Sequence, residues 1–546
     1  MNSLVERCVA RCIGLAAISA IGVTTAGAQE LSPRDSAGLP RPATLVLVGS
    51  PAEARKRVDQ LLGAPLAGSS FRSPSSMTRP MPVSNGGPRI GLLLPTIRTS
   101  WNSELPYSLN DGALWAGRGL NAIVTAGVIA EHGRLRLTIA PELWSSQNLA
   151  YALPDPALAP PVRAPRSAFA SPFHGGEQSI DLPIRFGDVP ERRLGAGQSS
   201  LVVDAGHVAL GAATENQWWG PGIRNALLLS NNAGGFPHLF VRSARPVPTP
   251  LGMLEGRWIA GGLTESAFFD DDPGNDLRSI ALLGVALQPR GTTGLVVGIA
   301  RSAFGSAGSW GSALASFPRV FQGADDRGDP VPSDSAPGRA ADALTSLFAR
   351  WVLPASRAEV YGEYGRTELP RSVRDFLEQP AHSQGYLLGL QWLSHPLGTR
   401  GRLRVQAEAT YVEQSTSYRF RPLGSWYTSR TVVQGYTERG QPLGAAIGPG
   451  GSTQWMAVDH LAAKWEAGAY LTRVRWLADV QNQMRSPANN DFCRHDVSLL
   501  PGLRGRRETH SAPSRRTTAP GGGSTSSSSS RDCASAIPRA TSATTR

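Results

Sequence analysis

The sequence predicts an all-β protein made of many short antiparallel strands, and three observations predict it. Apolar and polar residues alternate through Arg134-Leu135-Arg136-Leu137-Thr138-Ile139, Arg357-Ala358-Glu359-Val360-Tyr361-Gly362-Glu363-Tyr364 and Arg402-Leu403-Arg404-Val405-Gln406-Ala407-Glu408-Ala409, the period-two pattern of a strand with unlike faces. Brief turn signals join neighbouring runs: Glu131-His132-Gly133, Pro354-Ala355-Ser356 and Glu466-Ala467-Gly468. No long helical pattern follows residue 91. Together these give roughly 14 to 16 candidate strands.

The chain divides into four stretches. Residues 1–28 read as a signal peptide: Arg7 and Arg11 precede an apolar run over 13–23, and Ala26-Gly27-Ala28 forms the cleavage site. That run is shorter than the about 20 residues a spanning helix needs. Residues 29–90 form a small N-terminal region. There Ser50-Pro51-Ala52-Glu53 is a capping box opening a helix through Leu62, with Val58, Leu61 and Leu62 as its apolar side. Residues 44–48 are expected to be extended, and the Pro- and Ser-rich stretch 64–88 to be linker. Residues 91–491 hold the strands, separated by long polar connections such as 154–173, with six prolines, and 322–342. Residues 492–546 form a basic tail too poor in large apolar residues to bury a core, expected to be disordered. Two accounts of the tail stand open, a native extension or out-of-frame translation beyond Asp491 that replaces closing strands.

Charge and cysteine usage exclude several classes. The net charge is +12, but the tail alone carries nine arginines against Asp496, Glu508 and Asp532, so half the excess sits there. The body has no basic stripe, and no nucleic-acid partner is expected. Of four cysteines, only Cys493 and Cys533 outlast signal cleavage, both in the tail, so the body has neither a disulfide framework nor a Cys-based metal site.

Alternating strands fit a secreted sandwich, a propeller or a membrane barrel. The lack of a propeller-like period, the absence of staples and the Gly-containing strands favour the barrel. Three motifs sharpen the choice. They are Asn110-Asp111-Gly112-Ala113-Leu114-Trp115-Ala116-Gly117-Arg118-Gly119-Leu120-Asn121, then Glu215-Asn216-Gln217-Trp218-Trp219-Gly220-Pro221-Gly222 with Leu227-Leu228-Leu229-Ser230-Asn231-Asn232, and Gln434-Gly435-Tyr436-Thr437-Glu438-Arg439-Gly440-Gln441-Pro442-Leu443-Gly444. In this order they resemble the Wzi-like capsule assembly family. The resemblance implies a transmembrane antiparallel β-barrel of about 18 strands, in the size range of outer-membrane barrels, with a small N-terminal periplasmic helical region. It also implies a non-enzymatic protein of the bacterial outer membrane that binds capsular or extracellular polysaccharide and anchors it at the cell surface. The partners implied are that polysaccharide, outer-membrane lipid and the insertion machinery. Long loops at one end, short turns at the other, and ten tryptophans near strand ends (Trp115, 144, 258, 310, 351, 392, 426, 455, 465 and 476) suit such a barrel with aromatic girdles.

Candidate binding residues follow from chemistry. Trp218 and Trp219 offer indole faces to sugar C–H groups, while Asn216, Asn231 and Asn232 offer hydrogen bonds to hydroxyls. The competing reading is that this turn is a structural corner of the barrel. Arg118 and Arg224, with Arg134, Arg136, Arg402 and Arg404, suit an acidic polysaccharide, or else pair with inward carboxylates. Asp270-Asp271-Asp272-Pro273-Gly274-Asn275-Asp276 has its glycine in the wrong place for a calcium loop and reads as a solvated tip. No cofactor, metal or catalytic residue is expected. A porin-like channel is the first alternative function; a glycan-processing enzyme using Glu359 and Glu363 is the second.

Overall fold

A computed structural model describes residues 41–484, apart from 67, 79–86, 154–166, 172, 174–178, 323–340, 371, 399–400, 420, 422 and 463–464. The expected signal peptide and basic tail lie outside the described residues. One antiparallel sheet forms a barrel wall. Its strands are β3 (Arg89–Asn102), β4 (Gly119–His132), β5 (Leu135–Ile139), β6 (Glu142–Ser146), β7 (Glu191–Gly195), β8 (Ser200–Asp204), β9 (Val208–Ala213), β11 (His238–Ser243) and β12 (Val247–Thr249). It continues through β13 (Gly252–Thr264), β14 (Leu277–Pro289), β15 (Leu295–Ser306), β16 (Ala341–Leu353), β17 (Ala358–Arg366), β18 (Gln384–Leu393), β19 (Arg402–Tyr411), β22 (Ser452–Leu461) and β23 (Glu466–Arg475), while β20 (Thr437–Glu438) and β21 (Gln441–Pro442) pair with each other in the loop between β19 and β22. Counting β5–β6, β7–β8 and β11–β12 as interrupted single strands gives 15 wall positions, within the expected range. No register joins β23 to β3, so the sheet is open there among the described residues. A short arm, β1 (Arg41–Ala43), pairs in parallel with Gly91, Leu92 and Leu93 along the edge of β3.

Connections alternate strictly in length. Those at 133–134, 205–207, 250–251, 290–294, 354–357, 394–401 and 462–465 are short, whereas 103–118, 147–190, 214–237, 265–276, 307–340, 367–383 and 412–451 are long. All short turns therefore sit at one end of the wall and all long loops at the other, as in outer-membrane barrels. The turn placed by sequence at 466–468 falls instead at 462–465, and Gly468 lies inside β23 opposite Asp459. A Cβ on Gly468 would approach Asp459 Oδ1 to 2.1 Å, so here glycine permits a close strand contact and does not mark a turn.

Strand parity turns the usual soluble pattern inside out. Opposite one another on β17 and β18, Val360 meets Leu390 and Ala358 meets Trp392 on the outer face, while Glu359 meets Gln391 inside. On β19 and β22, Val405 and Val458 share the outer face, and Arg404 faces Asp459 inside. Leu135, Leu137, Ile139, Leu347, Leu388 and Met456 are exposed, whereas Glu359, Glu363, Gln406 and Glu408 are buried. Greasy residues that point away from the protein have lipid as their natural solvent, and the sheet itself satisfies the backbone. Exposed tryptophans gather at both rims: Trp351, Trp392 and Trp465 near the short turns, Trp101, Trp310 and Trp476 near the long loops. Trp144, Trp426 and Trp455 do not join them; all three are buried inside.

The lumen is filled. From the short-turn side comes α1 (Pro51–Leu61), capped by Ser50, which accepts from the Glu53 N–H. Its buried residues are Glu53, Arg57 and Leu61, while Leu62 is exposed. The reason is its partner, a polar wall: Arg57 reaches Glu359 at 2.6 Å, and Arg350 grips the same carboxylate at 2.6 Å. Within the stretch expected as linker, β2 (Phe71–Arg72) and α2 (Pro74–Met77) are buried too, with Ser75 donating to Glu215. Residues 44–48 form no strand, yet Val46 and Val48 pack against Met77 and Trp218. From the long-loop side, residues 179–186, 214–237 and 425–450 fold inward and complete one apolar core with Phe71, Trp219, Trp426, Tyr427 and Tyr436.

Candidate functional site

The three sequence motifs, spread over about 330 residues, meet in one hydrogen-bonded knot inside the barrel. Trp218–Trp219 form β10, paired antiparallel with β2 so that Trp219 lies opposite Phe71 and Trp218 opposite Arg72. The Trp219 and Phe71 rings meet edge to face at 4.8 Å. Room for this contact comes from Gly284 on the wall, where a Cβ would fall 2.3 Å from Phe71 and 2.9 Å from Trp219. Asn216 donates to Asn231 Oδ1 at 2.6 Å, and Asn231 donates to the Asn110 carbonyl at 3.0 Å. Asn110, held at φ 61°, donates to the Arg224 carbonyl. Asn232 donates to the Pro442 carbonyl, and Gln441 donates to the Asn232 carbonyl.

Wall carboxylates pin the knot. After the Gly-Pro-Gly turn, the N–H groups of Ile223, Arg224 and Asn225 all donate to Glu408, at 2.7 to 3.2 Å, and Tyr361 adds its hydroxyl at 3.0 Å. Glu363 takes the Leu227 N–H, and Glu215 joins Ser75 to Arg257. Successive backbone N–H groups in a turn make an anion-binding concavity, and here a side chain of the barrel fills it. Glu359 and Glu363, considered by sequence as a catalytic pair, are both engaged in holding the plug.

Asn216, Trp218, Trp219, Asn231 and Asn232 are each no more than 5% exposed. Arg224 is half-buried, its guanidinium 5.4 Å from the Trp455 ring centre. Arg118 lies apart, at the foot of β4, donating to the carbonyls of Ser103 and Ala150. Arg136 pairs with Glu131, Arg404 pairs with Asp459, and Arg134 is exposed at a short turn. The Asp270–Asp276 segment closes on itself, Asp270 and Asp272 accepting the N–H groups of Asp272 and Gly274.

Beside the knot, at the long-loop end, lies a pocket of about 280 Å³ between β6–β7 and the inward loops. Trp115, Trp144 and Phe186 supply aromatic walls, Trp115 and Phe186 with centroids 4.9 Å apart. Glu142, Glu191 and Glu438 supply carboxylates, and Arg193, Arg439 and Gln441 supply donors. Arg193 pairs with Glu191 at 2.9 Å and Arg439 with Glu438 at 3.3 Å; with side chains 46% and 51% exposed, the two arginines mark the mouth. Glu142 is deeper, accepting from Thr125 and Gln198. The buried indole N–H of Trp144 lies within electrostatic reach of Glu191 but makes no hydrogen bond of ordinary geometry. The knot builds the pocket floor directly: Asn216 Oδ1 accepts from the Gly235 N–H and from Gln198, which also holds Glu142. Flat rings beside paired acceptors and donors suit a ligand with apolar C–H faces and many hydroxyls.

Sequence reasoning singled out Trp115 and Trp144 only as rim anchors and passed over Glu191 and Arg193. The available signal was parity: Glu142 and Trp144 share the inner face of β6, and Glu191 and Arg193 that of β7.

Comparison with known proteins accords with the motifs. No curated protein matches the chain. Among solved structures, the chain is similar to Wzi of Escherichia coli, described as an outer-membrane protein involved in group 1 capsule assembly and a carbohydrate-binding β-barrel. The identity is 13%, covering 79% of this chain and 76% of that one, with a TM-score of 0.46. It is also similar to OprB of Pseudomonas putida, at 10% identity, 72% and 90% coverage and a TM-score of 0.36. For OccAB2 of Acinetobacter baumannii the values are 8%, 72% and 84%, and 0.31. Identities this low leave membership to rest on the sequence family, and the family described as capsule assembly protein Wzi matches residues 113–468, well over half of the chain. The chain belongs to the Wzi family of capsule assembly proteins.

Proposed function

We propose that this protein binds capsular or extracellular polysaccharide at the outer surface of the bacterial outer membrane and retains it there during capsule assembly, without altering it chemically. The observation that carries this reading is the long-loop face, where an aromatic and carboxylate-lined pocket sits above a packed lumen. Export by the signal at residues 1–28, delivery by the insertion machinery and an outer belt of lipid belong to the same proposal. In it, Asn216, Trp218, Trp219, Arg224, Asn231 and Asn232 serve binding as the frame that shapes the pocket, and Arg118 lies at the loop rim; the burial of the two tryptophans and three asparagines, with the engaged amides of Asn216, Asn231 and Asn232, supports that division. Deleting the gene and staining cell-attached and released polysaccharide tests the reading. Attached material is expected to fall and released material to rise; an unchanged attached layer would refute it.

The packed lumen disfavours the porin-like alternative. Phe71, Trp219 and Phe348 stack edge to face across the interior, at 4.8 and 5.9 Å. Purified protein in planar bilayers is expected to conduct little more than the bare membrane, and a large ohmic conductance would restore the channel reading. Intact polysaccharide after prolonged incubation is expected on the non-enzymatic reading; shortened chains would contradict it.

A further inference from the structure

We infer that the pocket between β6–β7 and the knot is a saccharide subsite that takes a single uncharged pyranose residue of the polysaccharide. The inference rests on the proposed polysaccharide-binding function and names its site and ligand class.

Size sets the first limit. At about 280 Å³ the cavity lies just below the roughly 300–1,000 Å³ typical of small-molecule sites. It suits one sugar ring, not a length of chain. The chemistry of the walls sets the second. The tilted Trp115–Phe186 pair presents an aromatic surface to the apolar face of a ring. Trp144 adds a buried indole wall beside Glu191. Hydrogen-bonded donors and acceptors fix orientation around such a surface, and Glu191–Arg193 and Gln441 supply them.

Charge sets the third limit and departs from the arginine-based expectation. Three carboxylates line the pocket against two guanidinium groups, and each arginine already has a carboxylate partner. A uronic acid entering here would meet only arginines already held by carboxylates among the lining residues, and so no unpaired guanidinium to receive its charge. Hydroxyl groups meet the partly exposed Glu191 carboxylate as a hydrogen-bond acceptor, which favours a neutral ring.

The test uses the full chain in detergent and two assays. Methyl glucoside, methyl galactoside and methyl glucuronide are titrated by saturation-transfer NMR, and purified polysaccharide from the producing cells is bound in co-sedimentation. The wild type is expected to bind a neutral methyl glycoside more tightly than the glucuronide. Trp115→Ala and, separately, Glu191→Gln are expected to weaken the neutral probe about ten-fold, or about 1.4 kcal/mol. Glu191→Gln keeps the shape of its side chain, so it remains informative if Trp115→Ala fails to fold. A preference for the glucuronide, no binding of either neutral probe, or variants that bind as the wild type does, overturns the subsite while co-sedimentation of polysaccharide leaves the general function standing. Failure of the wild type to co-sediment polysaccharide overturns both.

Discussion

The knot and the pocket share a boundary at Gly235 and Gln441, yet they are built on opposite principles. In the knot the amides are engaged inside the protein: Asn216, Asn231 and Asn232 spend theirs on one another and on backbone, and Trp219 is sealed between Phe71 and the wall. In the pocket, Trp144 and Phe186 form buried walls, Trp115 is half-buried, and two half-exposed arginines reach solvent. The dense motif therefore marks architecture, and the residues fit to meet a ligand are scattered over β6, β7 and three loops. A motif is compact in sequence when its work is local closure; a binding surface assembled from a barrel wall need not be.

The comparison breaks most readily at Trp219. Trp219→Ala is expected to lower stability by about 3–5 kcal/mol, as for other large buried aromatics, read as urea unfolding in lipid vesicles. Trp115→Ala should cost about 1 kcal/mol or less in the same assay, because Trp115 is half-buried. Equal losses would erase the distinction. A second blow to the knot is Glu408→Gln, which leaves three backbone donors competing for one amide oxygen. A loss of about 2 kcal/mol is expected, without a change in affinity for sugar in the fraction that remains folded.

The smallest effect concerns pH. Glu265 lies just beyond β13 and accepts from Gln434 at the start of the third motif. Burial, with further push from Asp270, Asp181 and Asp276, raises its pKa from 4.5 to about 8. The raised value means that the folded state favours the proton. The contribution to stability is therefore full below about pH 4.5 and lost as pH climbs through about 8. The apparent melting temperature of the wild type should fall between pH 5 and 8.5 by more than that of Glu265→Gln. A variant with the steeper fall would reverse the sign and refute the account.

Much of the wall could be read from sequence because alternation is a local signal. Arg402 to Ala409 shows its two faces within eight residues, and the structure puts Arg404, Gln406 and Glu408 inside. The helix at Ser50 announced its own start through its cap. Its orientation was not legible, since Arg57 and Glu53 turn inward only because Glu359 and Arg72 await them from distant segments. The same holds for the tryptophan pair. Alternation sends Trp218 and Trp219 to opposite sides, but β2 and the wall bury both. The pocket was least legible of all, because Trp115, Trp144, Glu191 and Glu438 come together only after the loops fold inward.

Hydrogen–deuterium exchange on the full chain in detergent, with and without purified polysaccharide, tests the division between frame and binding face most directly. New protection is expected in peptides covering 113–115, 186–195 and 438–441, while 216–232 is already protected without ligand and stays unchanged. Protection confined to 216–232, with the pocket segments unaltered, would contradict the account.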